Sequence, residues 1–313
     1  MWQSIASSCC ELGESPFWHP QERSLYWVDI PGRALLRTRG PIDENTEVQR
    51  WTMPSEPGCI APARRGGLVV ALRDSIYRAA EWGGELRCMA RADHDVRTLR
   101  FNDGKCDPLG RFWAGSINEA KDGPTAALHC LDARPGHAAG AAASLVRMQG
   151  EVTTANGLAF APEANRIYWA DTPSHAVRVW DWDAQANRMS NEREFQRFAP
   201  KPAGWTPGAA GAPSYGGRPD GATLDAQGRY WAAMYEGAQL VCIDAAGNQV
   251  AAIPVPAQCP TMPCFGGDDL RTLFVTTGRH GRSTDELGRL PASGKVLFMR
   301  SQTQGRPVDF FED

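Results

Sequence analysis

The 313-residue sequence predicts an all-β chain folded as a six-bladed β-propeller, and three observations carry that expectation. A short word recurs: a polar residue, a strand-like run, a turn, then an aromatic strand whose tryptophan follows the polar residue by eleven to thirteen positions. The copies run from end to end with no linker of changed composition, so one repeat-built domain over 1–313 is expected. Elsewhere β-branched and aromatic runs alternate with Gly, Asp, Pro or Asn, and no stretch sustains a helical stripe, 138–143 being the nearest.

The first copy leads from Glu14 through Pro16 and Trp18 to Leu25-Tyr26-Trp27-Val28. A second, weaker one is centred on 66–71. The third leads from Asn102-Asp103-Gly104 to Arg111-Phe112-Trp113, the fourth from Asn156-Gly157 to Arg166-Ile167-Tyr168-Trp169, and the fifth from Asp220-Gly221 to Arg229-Tyr230-Trp231. The sixth, again weak, is Arg271-Thr272-Leu273-Phe274-Val275-Thr276. Further strands are expected at 76–78, 127–131, 177–180, 240–243 and 295–298. A lone four-stranded sheet cannot cover both of its faces, but blades arranged radially cover one another. That is why six repeats of this size read as a propeller.

Composition narrows the function classes. A net charge of −3, with lysine and arginine scattered, gives no electrostatic reason for a nucleic-acid or anionic-membrane partner. No run approaches the ~18 apolar residues of a membrane helix, and the start lacks the pattern of a signal peptide, so a cytoplasmic protein is expected. Nine cysteines, odd in number and irregularly spaced, read as free thiols rather than zinc ligands. A monomer is the default for a closed propeller.

Rotation about a propeller axis brings equivalent positions of successive blades to one mouth of the channel. Glu14, Asn102, Asn156 and Asp220 hold that position, while the weak copies carry Gly58 and a Pro-Cys-Phe-Gly run there. Two carboxylates and two amides around an axis would repel or stay unsatisfied unless a cation lay among them. All-oxygen donors suit one hard divalent ion such as Ca²⁺, Mg²⁺ or Mn²⁺, and tolerate Zn²⁺ or Fe²⁺. Asp220, held between Pro219 and Gly221, is the side chain most deliberately aimed.

The words Leu12-Gly13-Glu14-Ser15-Pro16, Arg100-Phe101-Asn102-Asp103-Gly104-Lys105, Ala155-Asn156-Gly157-Leu158, Pro219-Asp220-Gly221 and Cys264-Phe265-Gly266-Gly267 resemble, in order and over nearly the whole chain, those of the gluconolactonase family that includes senescence marker protein (regucalcin). The resemblance implies a metal-dependent sugar lactonase. Glu14, Asn156 and Asp220 would hold the metal, Asp220 would also be general base, and Arg100 and Asn102 would contact the sugar. An acidic residue of relatives falls in the segment holding Asn118 and Glu119, both candidates for sugar contact. The 201–217 loop, just before Asp220, is either a rim or lid that shapes specificity or a loose insertion, and Trp205 within it is a candidate for stacking on a sugar.

Other readings stand beside this one. Asp29, Asp171 and Asp183 read as strand braces, the histidines as surface or packing residues, and most tryptophans as core between blades. No Gly-x-Ser-x-Gly elbow supports Ser-His-Asp catalysis. A metal-dependent esterase or phosphotriesterase, or a propeller that only binds calcium, remains the alternative.

Overall fold

The computed structural model describes residues 1–134, 144–208 and 213–313; the 138–143 stretch and positions 209–212 of the loop before Asp220 lie outside them. The chain forms six four-stranded antiparallel sheets arranged as a six-bladed propeller. From the axis outward, blade 1 is Gly13–His19, Ser24–Asp29, Ala34–Arg39 and Glu47–Thr52. The innermost strands of blades 2 to 6 are Cys59–Pro62, Leu99–Cys106, Ala155–Phe160, Arg218–Leu224 and Cys259–Gly266. These strands touch their neighbours around the channel.

The second strand of each blade shows why so little polar alternation is visible in the sequence. In Ser24–Asp29, Leu25 and Trp27 face blade 6 while Tyr26 and Val28 face blade 2, so both faces are covered. Among the described residues the core divides accordingly into clusters between successive blades. Trp27 and Trp113 are fully buried there and Trp169 nearly so. The outermost strands face water: Arg188–Arg197 is exposed along most of its length.

The recurring word has a second structural content in blades 3 and 5. Asp107 Oδ2 accepts from Arg111 Nε at 2.6 Å and Trp113 Nε1 at 2.8 Å, and Asp225 Oδ2 accepts from Arg229 Nε at 2.7 Å and Trp231 Nε1 at 2.9 Å. The aromatic strand is thus pinned to the turn before it. Asp29 and Asp171 brace the mouth as expected: each Oδ1 accepts backbone N–H groups of the segment entering its blade, from Glu11 and Leu12, and from Thr153 and Thr154. Asp183 caps a turn through the N–H groups of Gln185 and Ala186. The nine cysteines are free thiols.

Three features depart from the sequence reading. Blade 6 takes its outermost strand from the other end of the chain, Gln3 and Ser4 pairing with Phe298 and Leu297, which closes the ring. A six-residue helix, Thr284–Arg289, follows blade 6's second strand; Ser283 Oγ caps it by accepting from Glu286 N–H. In blade 6 the position equivalent to Asp220 is Thr261, because the register shift falls between Pro260 and Met262 as it falls between Pro219 and Ala222. The Pro-Cys-Phe-Gly run lies deeper in the channel. No described helix is long and apolar enough to cross a membrane.

Candidate active site

The innermost strand breaks register just after Glu14, around Asn102-Asp103, just after Asn156 and around Asp220. A bulge turns a side chain out of the regular pleat, and here it presents a polar residue to the channel instead of to a neighbouring blade. Blade 2 has no such break in its inner strand and supplies no polar group. Gly58, just before it, is needed because a Cβ would come within 2.5 Å of Phe101 O. Gly157 is needed twice over: its φ is +62°, and a Cβ would meet the Tyr230 hydroxyl at 2.2 Å.

A chain of hydrogen bonds runs across three blades. Arg100 Nη1 donates to Asn102 Oδ1 at 2.9 Å, Asn102 Nδ2 to Asn156 Oδ1 at 2.9 Å, Asn156 Nδ2 to Thr172 Oγ1 at 2.8 Å, and Thr172 Oγ1 to Pro219 O at 2.7 Å. Asn156 is therefore held with its oxygen toward Asn102, and the last link reaches the residue before Asp220. Glu14, Arg100, Asn102, Asn156, Asp220 and Glu119 all line one cavity of about 370 Å³ at this mouth.

The electrostatics of that cavity are unfavourable as the chain alone provides them. Burial, then the carboxylates of Asp220 and Asp103, hold the Glu14 carboxyl well above its usual range. Burial and Asp103 push Asp220 up to about 8. Asp103 is itself raised by burial; its Oδ2 accepts from Leu158 N–H at 3.0 Å, and its buried Oδ1 has no hydrogen-bond partner among the described residues. Among the described residues no group of three or more His, Cys, Asp or Glu is placed to hold a metal ion. The donor set that fits one is mixed: two carboxylates and the Asn156 amide oxygen, all hard oxygen donors, with a third carboxylate adding negative potential.

The two candidates for sugar contact part company. Glu119 lines the cavity and pairs with Arg100 Nε at 3.4 Å, and also with Arg73. Asn118 is occupied inside its own loop: Nδ2 donates to Asp122, Gly123 and Thr125, and Oδ1 accepts the N–H groups of Ala120 and Lys121. That loop sets Lys121, at φ +56°, on the cavity wall. Trp205 is tied back to its loop, donating to Pro213 O at 3.1 Å, and does not line the cavity. The sequence reading missed Lys121, Thr172, Arg218 and Tyr235, which also line it. All four lie outside the repeated polar position, although Arg218 stands two residues before Asp220.

The comparisons converge on one family and on this fold. The chain belongs to the SMP-30/Gluconolactonase/LRE-like family, whose model matches residues 12–279. It is 37% identical to the 6-deoxy-6-sulfogluconolactonase of Pseudomonas putida, over 94% of this chain and 92% of that one. It is 30% identical to Xenopus laevis regucalcin, over 94% and 92% respectively. In fold it matches a calcium-binding regucalcin of Agrobacterium tumefaciens with a TM-score of 0.85 at 20% identity, over 100% of this chain and 98% of that one.

Proposed function

We propose that this protein hydrolyses a sugar (aldono) lactone to the aldonic acid, with one divalent cation held by Glu14, Asn156 and Asp220. The observation that carries the reading is the pair of buried carboxylates, Glu14 and Asp220, brought from different blades into one cavity where neither has an ion-pair partner among the described residues and both are held above the usual carboxylate range. Membership of the family and the relative named as a sulfogluconolactonase support the lactone as substrate class.

A bound cation supplies Lewis acidity at the lactone carbonyl and keeps both carboxylates ionised. Asp220 accepts a proton from the attacking water as the water oxygen bonds to the carbonyl carbon. When the ring C–O bond breaks, Asp220 returns that proton to the leaving alkoxide; general acid–base work of this kind contributes roughly 10² to 10⁴ in rate. Asn102, gripped by Arg100, and Arg100, braced by Glu119, present fixed polar groups to the ring hydroxyls. Thr172 keeps the Asn156 oxygen available by occupying its amide N–H.

The test is a panel of aldonolactones assayed by proton release on chelator-stripped protein, with and without each divalent metal, after subtracting spontaneous opening. Metal-restored turnover of at least one lactone is expected. A flat panel with every metal would contradict the reading and leave a binding propeller.

A further inference from the structure

The cavity that gathers Glu14 and Asp220 also carries cations that the proposed hydrolysis does not use. Lys121 and Arg218 both line it. Arg218 lies over the Tyr235 ring, 5.2 Å from the centroid, and pairs with Glu236 at 3.2 Å. Glu236 is already shared: Lys201 reaches it at 2.9 Å and Arg282 at 3.2 Å, and among the described residues only Arg282 of these has a second carboxylate, Glu286. Three cations therefore surround one carboxylate beside the cavity. Lys121 adds a fourth, and its ammonium has no hydrogen bond or ion pair among the described residues.

Lys121 is not a floppy surface side chain. Its backbone sits at φ +56°, in the left-handed region that non-glycine residues seldom adopt. Asn118 holds it there by accepting its N–H at 3.2 Å while spending both amide hydrogens on the rest of the turn. A cation pinned on a concave wall beside a second cation, with Glu14 and Asp220 compensated by a divalent ion, Glu119 paired with Arg100 and Arg73, and Glu236 shared among three cations, leaves a positive potential for an anionic ligand. Pockets place a few convergent polar groups to fix ligand orientation, and lysine with arginine is the usual pairing for a sulfonate, phosphate or carboxylate oxygen cluster.

We propose that Lys121 and Arg218 form an anion-binding subsite, so that the lactone opened here carries an anionic substituent remote from its reacting ester. This rests on the lactonase reading. The subsite selects the substrate by charge, whereas Glu14, Asn156 and Asp220 serve any lactone that reaches them.

The metal-loaded protein is assayed on gluconolactone and on its 6-sulfo, 6-phospho and 6-carboxylate counterparts. At least one anionic lactone is expected to exceed the neutral one tenfold or more in kcat/KM, with the advantage shrinking as sodium chloride is raised; the best of the three identifies the anion. Lys121→Asn, a residue that tolerates left-handed backbone, should cut the anionic-to-neutral ratio tenfold or more, and Lys121→Arg should restore most of it. Neutral and anionic lactones used equally well, or a ratio unchanged in Lys121→Asn, would overturn the subsite while leaving the lactonase reading intact. No turnover of any lactone with any metal would remove both.

Discussion

The two mouths of the channel are built from the same six inner strands and have opposite characters. At the mouth where those strands begin, register breaks turn Glu14, Asn102, Asn156 and Asp220 inward, and buried carboxylates are left facing one another. At the mouth where they end, the C-terminal segment crosses the opening. Gly305 bridges to Asp225, Phe311 bridges to Ala63, and Arg306 donates to Phe160 O at 3.0 Å. Phe311 is fully buried against Ala61, Phe112 and Leu131. Beneath this strap only about 90 Å³ remains, with Lys105 donating to Ala222 O at 2.7 Å. Chemistry in such a fold sits where polar groups lack partners: those at the sealed end are tied to the backbone, whereas at the open end the amides are hydrogen-bonded and the Glu14 and Asp220 carboxylates have no ion pair among the described residues.

The largest effect that distinguishes the mouths is expected at Asp220. Asp220→Asn should lower kcat by about 100-fold or more without lowering the melting temperature of the metal-free protein, since asparagine keeps the size and polarity of a buried carboxyl held up to about 8; normal turnover would break the assignment of the open mouth. At the sealed mouth the reverse holds. Phe311→Ala should cost about 3–5 kcal/mol of stability, read by chemical denaturation, while kcat/KM of the folded protein stays near that of the parent. A large loss of turnover with intact stability would show that the strap serves the reaction.

A subtler contrast is in pH. The folded-state pKa of Asp220, about 8, lies above that of an unfolded aspartate, so its contribution to stability is present at low pH and lost as pH rises toward 8. The metal-free protein should therefore melt lower at pH 8.5 than at pH 6, and a divalent cation should narrow the gap by binding the ionised form. A gap that metal leaves untouched would place the cation elsewhere. The smallest effect is expected from Thr172→Val, which frees the Asn156 amide N–H and should weaken metal affinity roughly 10-fold, measured by competition with a chelating dye.

The blades and the four inward residues were legible because the repeated word couples a polar residue to a buried tryptophan at nearly constant spacing, and rotation about the axis does the rest. Closure by Gln3 and Ser4 was not, since two residues on a sheet edge have no periodicity to read. The helix at Thr284–Arg289 is too short for a hydrophobic stripe, although Ser283 followed three residues later by Glu286 is a capping signature. Thr172 and Lys121 stand after the second strands of their blades, outside the repeat, so no register argument reaches them. Asn118 could not be told from Glu119 by position. Its five hydrogen bonds within one turn are a property of the folded loop alone.

The most direct test of the central claim is calorimetric titration of a divalent metal into chelator-stripped protein, run beside Glu14→Gln and Asp220→Asn. One ion per chain should bind to the parent with proton release, since the carboxylates it meets are held above their usual pKa range, and both variants should bind far more weakly. Undiminished binding by both variants would contradict the account and move the metal away from the open mouth.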